Sequence, residues 1–430
     1  MKKEKGKVSA IMREQALDKG LLEKAGRCAQ DYLDSVLDRP VFPGEEDLEG
    51  LEEFRHDLPE EPGDPGEILD RLHRFGSPAT VAQVGGRYFG FVNGGVVPAS
   101  LAVKWLVDAW DQNAALYAMS PVVSVLEEVC EGWLVDLFGL PEGSAAGFVG
   151  GSATANLCGI AAGRDHLLAK CGWDASSKGL FGAPELKVVV GDGAHATVFK
   201  ALSILGLGGE RLVRVPTDGQ GRLRPDGLPA LDERTLLILQ AGNVNSGAFD
   251  PFAEICPRAR EAGAWVHIDG AFGLWAASSP RLRHLTAGME LADLWSVDAH
   301  KTLNAPYDSG IVLCRQREAL TGALQVSGSY IAPSGHRDGM HYTLDMSRRA
   351  RAVELWACLA ALGRRGVAEL VEDLHDKAVP FDHALAREGF HILNEVCFNQ
   401  VLVSCGDPRL TERTLALVQG SGECWCGSAQ

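Results

Sequence analysis

The feature that most constrains this chain is a rhythm. Short apolar runs, Leu186–Val190, Thr235–Leu239, Trp265–Ile268, Leu294–Val297 and Gly310–Leu313, recur between segments of helix length. Each run is as long as a strand and lacks the polar alternation of a strand with one wet face, so both faces need cover. Helix-period segments supply it: Val122–Leu137, with apolar residues at Val122, Val125, Leu126, Val129, Trp133 and Leu137, then Ala153–Leu168 and Ala350–Leu362. Ser120-Pro121 suits the start of the first. This alternation predicts an α/β chain, a three-layer, mostly parallel sheet with helices on both faces.

Ahead of the rhythm, Glu14–Leu37 reads as a helix and Pro40–Gly66 as an acidic Pro/Gly linker. Residues 1–84 are therefore expected to form an N-terminal helical arm, 85–315 a large domain and 316–430 a smaller C-terminal α+β domain. The 50 glycines fall without a three-residue period, which excludes collagen. A net charge of −16 repels nucleic-acid phosphates and anionic membrane surfaces, so neither is expected as a partner. No stretch offers the roughly 20 apolar residues that span a bilayer, and Met1-Lys2-Lys3-Glu4-Lys5 leads into no apolar signal core, so a cytoplasmic protein is expected. Eleven cysteines, an odd number scattered through apolar runs, read as free thiols; Cys424-Trp425-Cys426 lacks a second pair for zinc, and no metal site is expected.

Five windows carry possible chemistry, each just past a strand. Ser296-Val297-Asp298-Ala299-His300-Lys301-Thr302-Leu303-Asn304 places one lysine in a polar turn. Carboxyl ends of parallel strands are where open α/β sheets bind ligands, and a partly desolvated lysine there can form a Schiff base. A surface lysine after a strand would look the same. His267-Ile268-Asp269-Gly270-Ala271-Phe272-Gly273 ends a strand in a carboxylate beside residues small enough for a flat ring to lie against. A carboxylate about 4 Å from a protonated ring nitrogen gains about 4 kcal/mol at an effective dielectric near 20, roughly a thousandfold in rate if it appears only in the transition state. An ordinary strand-end cap is the alternative.

Phe148-Val149-Gly150-Gly151-Ser152-Ala153-Thr154-Ala155-Asn156 opens a helix with glycines and small residues, a phosphate cradle that has neither the lysine of a P-loop nor the dinucleotide glycine spacing. In Gly191-Asp192-Gly193-Ala194-His195 an imidazole flanked by small residues has room to stack on an aromatic cofactor, or merely to hydrogen-bond locally. Within Gln240–Asp250, the Asn243 amide has the chemistry to meet a ring hydroxyl or a carboxylate.

Taken in order, these windows give a phosphate cradle, a stacking histidine, an amide, a carboxylate and a lysine. From about Arg87 onward, and most strongly over Gly150–Arg315, the chain resembles the group II pyridoxal-phosphate-dependent amino-acid decarboxylases. These include glutamate and aromatic amino-acid decarboxylases and share the fold type I, aspartate-aminotransferase-like architecture. The resemblance implies pyridoxal 5'-phosphate as cofactor, Lys301 as its Schiff-base lysine and His300 as a phosphate contact. It further implies Asp269 as partner of the pyridine nitrogen, Ala271 and His195 on opposite ring faces, Ser152 and Ala153 at the phosphate, and Asn243 near the ring oxygen. Arg87-Tyr88-Phe89-Gly90 and the segment from Gln112-Asn113 to Ser120-Pro121 resemble pocket segments shared between two subunits, which implies a homodimer.

The implied reaction is loss of the α-carboxylate of an L-amino acid as carbon dioxide, with a tyrosine, Tyr330 or Tyr342, returning a proton. Aldolase-like carbon–carbon cleavage, transamination and a non-catalytic cofactor-binding paralogue are the competing expectations. His195, where aminotransferases carry another aromatic residue, favours decarboxylation. Thr302 and Leu294 depart from the tryptophan and serine common in the family, and relatives continue beyond the Cys424–Cys426 region, so either a truncated small domain or the loss of a substrate contact is expected.

Overall fold

The computed structural model describes residues 8–325 and 335–429. Its main sheet has seven strands: β1 (Ala145–Val149), β2 (Lys187–Gly191), β3 (Val213–Val215), β4 (Thr235–Gln240), β5 (Trp265–Asp269), β6 (Leu294–Asp298) and β7 (Gly310–Cys314), in the order β1-β7-β6-β5-β4-β2-β3. The five expected strands appear within one residue of their limits. The other two have weak sequence signals, because β1 is made largely of small residues and β3 has three residues with Arg214 at its centre.

Strands β2 to β6 run parallel, while β7 runs antiparallel to both β6 and β1. Helices cover the two faces: α1 (Pro98–Trp110), α2 (Pro121–Phe138), α3 (Ser152–Lys170), α4 (Ala196–Ile204), α5 (Phe252–Glu261), α6 (Arg317–Leu324) and α7 (Arg351–Arg387). The two-residue periodicity of the strands sorts the core. Phe148, Leu237, Leu239, Val266, Ile268, Trp295 and Val297 pack with α2, α5 and α7; Val149, Val188, Val190, Leu236, Ile238 and Leu294 pack with α3, α4 and α6. The expected three-layer α/β architecture is present.

Helix α7 breaks at Gly363 (φ 61°), one residue past the expected end at Leu362, and then resumes as far as Arg387. The single helix expected over Glu14–Leu37 is instead two, Val8–Leu17 and Gly20–Ser35. The Asp18 carboxylate accepts the Gly20 N–H (2.8 Å), and this local turn competes with continued helix.

By contacts, the chain forms two compact units. One contains the segment ending at Gly90 together with Arg409–Ser428; the other runs over Phe91–Pro408 and holds the sheet. In the first, Tyr88–Phe89 pairs in parallel with Trp425–Cys426, and the Tyr88 ring stacks on Trp425 at 5.0 Å. In the second, His391–Ile392 pairs with Val403–Ser404. No helix among the described residues is long and apolar enough to cross a membrane.

Candidate active site

Because β7 reverses direction, β6 and β7 are joined by the short connection 299–309, which carries His300 and Lys301. Backbone bonds tie this connection shut: Ala299 N–H and His300 N–H both donate to the Ser309 carbonyl (2.9 and 3.3 Å), and Ala305 N–H donates to the Ala299 carbonyl (3.0 Å). Residues 94–97 lie against it. Gly94 N–H donates to the His300 carbonyl, Gly95 N–H to Asn304 Oδ1 (2.9 Å) and Val97 N–H to the Asn304 carbonyl (2.8 Å). The approach is so close that a Cβ on Gly94 would stand 2.2 Å from the Lys301 carbonyl oxygen.

Lys301 Nζ lies 3.1 Å from Asp298 Oδ2, at the end of β6. That carboxylate also accepts the Ser152 backbone N–H (2.5 Å) and the Ser152 hydroxyl (2.7 Å), so it sits on the positive end of α3. The turn before α3 is pressed against the start of β7; a Cβ on Gly310 would stand 2.4 Å from the Gly151 Cα. His300 stacks on Tyr307 (4.3 Å), its Nδ1 accepts the Ser309 N–H (3.1 Å), and its Nε2 lies 3.6 Å from Asp298 Oδ2. Burial lowers its pKa, partly offset by the Asp298 charge. Ala153, next along α3, is exposed.

Asp269, at the end of the neighbouring strand β5, is buried. Its Oδ2 accepts Asn156 Nδ2 (3.1 Å), while its Oδ1 accepts the Ala271 N–H (3.2 Å) and, at 3.4 Å, the Ser296 hydroxyl. Burial pushes its carboxyl above the usual range; the Lys301 cation is the largest influence in the opposite direction, followed by the Asn156 bond and His195. Asn156 Oδ1 accepts His267 Nε2 (2.8 Å) and the Ser296 hydroxyl (2.6 Å).

His195 caps α4. Its Nδ1 accepts the Thr197 N–H (3.3 Å) and the Thr197 hydroxyl (2.8 Å), which leaves Nε2 as the protonated nitrogen. Asn243 is buried in the turn after β4. Its Oδ1 accepts the N–H groups of Asn245 and Ser246, and its Nδ2 donates to the Gly193 carbonyl (3.4 Å), tying it to the loop that carries His195.

The structure thus gathers Ser152, His195, Asn243, Asp269, Ala271, His300 and Lys301 along the carboxyl-end edge of the sheet. It does not bring Tyr342 to that edge. The Tyr342 hydroxyl is bonded by Arg317 Nη1 (2.7 Å), just past the end of β7 remote from Lys301, and its ring lies under Arg337 (3.9 Å). Arg337 and Arg348 in turn form buried ion pairs with Glu127 and Glu131 of α2. The Asn113 amide is spent on Ser347, Arg348 and Ala115. Tyr330 lies outside the described residues. Sequence reasoning assigned no role to Asn156, Ser296 or Asp298. The available signals were an amide in the middle of an apolar helix and polar residues inside a buried strand.

Residues 51–404 match the family described as the pyridoxal-dependent decarboxylase conserved domain. The chain is 28% identical to the aromatic-L-amino-acid decarboxylase of Bos taurus over 422 residues, covering 91% of this chain and 85% of that protein. It is 29% identical to the acidic amino acid decarboxylase GADL1 of Mus musculus over 370 residues, covering 81% and 66%. Among solved structures, Oryza sativa TDC with PLP and tryptamine aligns with a TM-score of 0.86 at 22% identity, covering 95% of this chain and 89% of that one. Mouse CSAD in its apo form aligns with a TM-score of 0.85 at 21% identity, covering 96% and 92%.

Proposed function

The chain belongs to the pyridoxal-dependent decarboxylase family, and from that membership we propose which of its residues hold the cofactor and act on the substrate. The activity is that of a pyridoxal-phosphate-dependent amino-acid decarboxylase, which removes the α-carboxylate of an amino acid as carbon dioxide and leaves an amine.

The residues fit the cofactor. The positive end of α3 attracts anions, as the Asp298 carboxylate on the Ser152 N–H and hydroxyl shows, which supports a phosphate alongside it, on Ala153 and His300 and on the Ser152 hydroxyl once that group turns from Asp298. The observation that carries the reading is the buried Asp269 carboxylate, one strand over from Lys301 and influenced by Lys301 more than by any other charge. When bound, the cofactor would supply an electrophilic aldehyde and a conjugated ring able to take up the electron pair left on Cα as carbon dioxide departs.

Lys301 provides the amine that holds the aldehyde, and Asp269 provides the carboxylate for the ring nitrogen. His195 offers an imidazole face to the ring and its Nε2–H to the departing carboxylate, while the Ala271 methyl leaves room on the other face. Asn243 uses one Nδ2 hydrogen on Gly193, and the other serves the ring oxygen. Arg317 holds the Tyr342 hydroxyl, so Tyr330 is the tyrosine to test for returning the proton to Cα. From the resemblance of their segments alone, Tyr88, Phe89 and Asn113 are residues to test for substrate contact.

Assembly as a homodimer is supported by the apolar residues that α1, α2 and their connection leave exposed, among them Trp105, Leu106, Trp110, Met119, Val122 and Val125. A cytoplasmic setting is supported by eleven cysteines that are all free. The decisive experiment screens L-amino acids for carbon dioxide release, with each amine identified by mass. Borohydride treatment should leave the cofactor's mass on the peptide containing Lys301. Lys301→Ala should abolish both signals; a keto acid or an aldehyde as product would contradict the reading.

A further inference from the structure

Asn156 sits between the two groups proposed to flank the cofactor ring. Its Nδ2 donates to Asp269 Oδ2 at 3.1 Å and reaches Thr197 Oγ1 at 3.5 Å, and Thr197 holds His195 Nδ1. On the other side, Oδ1 receives two donors, His267 Nε2 and the Ser296 hydroxyl. Asn156, His267 and Ser296 are all completely buried, so no water competes for these bonds.

We propose that Asn156 is a positioning residue, its amide oriented by the fixed His267 donor so that it donates towards Asp269 and Thr197. This rests on the assignment of Asp269 to the ring nitrogen. Rotating the amide by half a turn would set an N–H against the His267 donor and the oxygen against the Asp269 carboxylate, so both of these contacts would turn repulsive, while the Ser296 hydroxyl, donor and acceptor alike, adapts to either orientation. The lock depends on which histidine nitrogen carries the proton. His267 Nδ1 has no hydrogen-bond partner among the described residues, and a lone pair is cheaper to strand than an N–H, so the proton belongs on Nε2, facing Asn156.

Burial also pushes the imidazole's pKa down to about 3, which keeps it a neutral donor of fixed polarity at working pH. The chain runs His267, then Asn156, then Asp269, each group donating to the next. Its effect is to hold the Asp269 carboxylate charged and aimed despite its burial, and no proton has to travel along it.

The test compares binding of two cofactors to the full chain after cofactor exchange: pyridoxal phosphate, and its analogue with carbon in place of the ring nitrogen. The wild-type protein should prefer the natural cofactor. Asn156→Ala and His267→Phe should shrink that preference by about tenfold or more, the scale of one hydrogen bond to a charged group. His267→Gln keeps a donor near the Nε2 position and should preserve it. A merely structural role would weaken both cofactors alike and leave the ratio unchanged.

Asp269→Ala, measured alongside, separates the two ideas. If it abolishes the preference while Asn156→Ala and His267→Phe leave it intact, the positioning role is overturned and the Asp269 assignment stands. If Asp269→Ala has no effect, the assignment falls and the inference with it. Nitrogen NMR of the unmutated protein needs no variant to fold: it should show His267 neutral and protonated at Nε2, and a proton on Nδ1 would overturn the proposal.

Discussion

A completely buried imidazole titrates against the fold that buries it. The pKa of His267 is lowered from its ordinary value to about 3, so between that value and about 6.5 the unfolded chain binds a proton that the folded chain refuses. Stability from this residue is therefore present above the unfolded value and drains away as pH falls. Between pH 7 and pH 5 the loss is about 2 kcal/mol. Urea unfolding at the two pH values should show that difference shrinking by the same amount in His267→Gln. At this scale the sequence was informative about placement: Asp269, His195 and Lys301 lie at or just past strand ends, as their small-residue turns implied. It was silent on Asn156, because an amide that serves a buried carboxylate looks, in one dimension, like any helical asparagine. Tyr342 shows a related limit: a tyrosine beside a loop says nothing about the arginine that takes up its hydroxyl.

Among elements, the contact to probe is the one between residues 94–97 and the lysine-bearing connection. Gly94→Ala puts a methyl where the Lys301 and His300 carbonyl oxygens stand, at 2.2 and 2.7 Å, so one backbone must move. The expected cost is about 1–3 kcal/mol of stability, together with weaker cofactor retention, read as faster loss of the lysine-bound absorbance on dialysis; unchanged retention would show that the connection is held from elsewhere. A second clamp joins α2 to the segment before α7. Arg337 and Glu127 are both nearly inaccessible and pair at 3.0 Å, and Arg337 also pairs with Glu131, so Arg337→Met removes a buried cation shared by two carboxylates and leaves Glu127 to Arg348 and Glu131 to Arg317, at a cost of about 3 kcal/mol by chemical denaturation. Neither contact was legible in the sequence, since partners some two hundred positions apart share no local pattern. Strand limits were, because apolar runs bounded by glycine and polar turns leave few places for an edge.

For the whole molecule, the layered architecture followed from periodicity alone, whereas the reversed direction of β7 did not: antiparallel and parallel pairing bury the same apolar residues. The exposed tryptophans of α1 test the proposed assembly. Trp105→Glu combined with Val122→Glu should turn a dimer into monomers in sedimentation velocity at micromolar concentration, and an unchanged sedimentation coefficient would place the interface elsewhere. The reversal of β7 has a mechanical consequence. A crossover to another parallel strand would have hung Lys301 on a long excursion; a hairpin sealed at its base by ladder bonds gives the amine proposed to hold the cofactor a rigid mount. In the proposed role the lysine side chain swivels about a stationary anchor, and deuterium should enter the amides of Ala299 and His300 as reluctantly as those of a central strand.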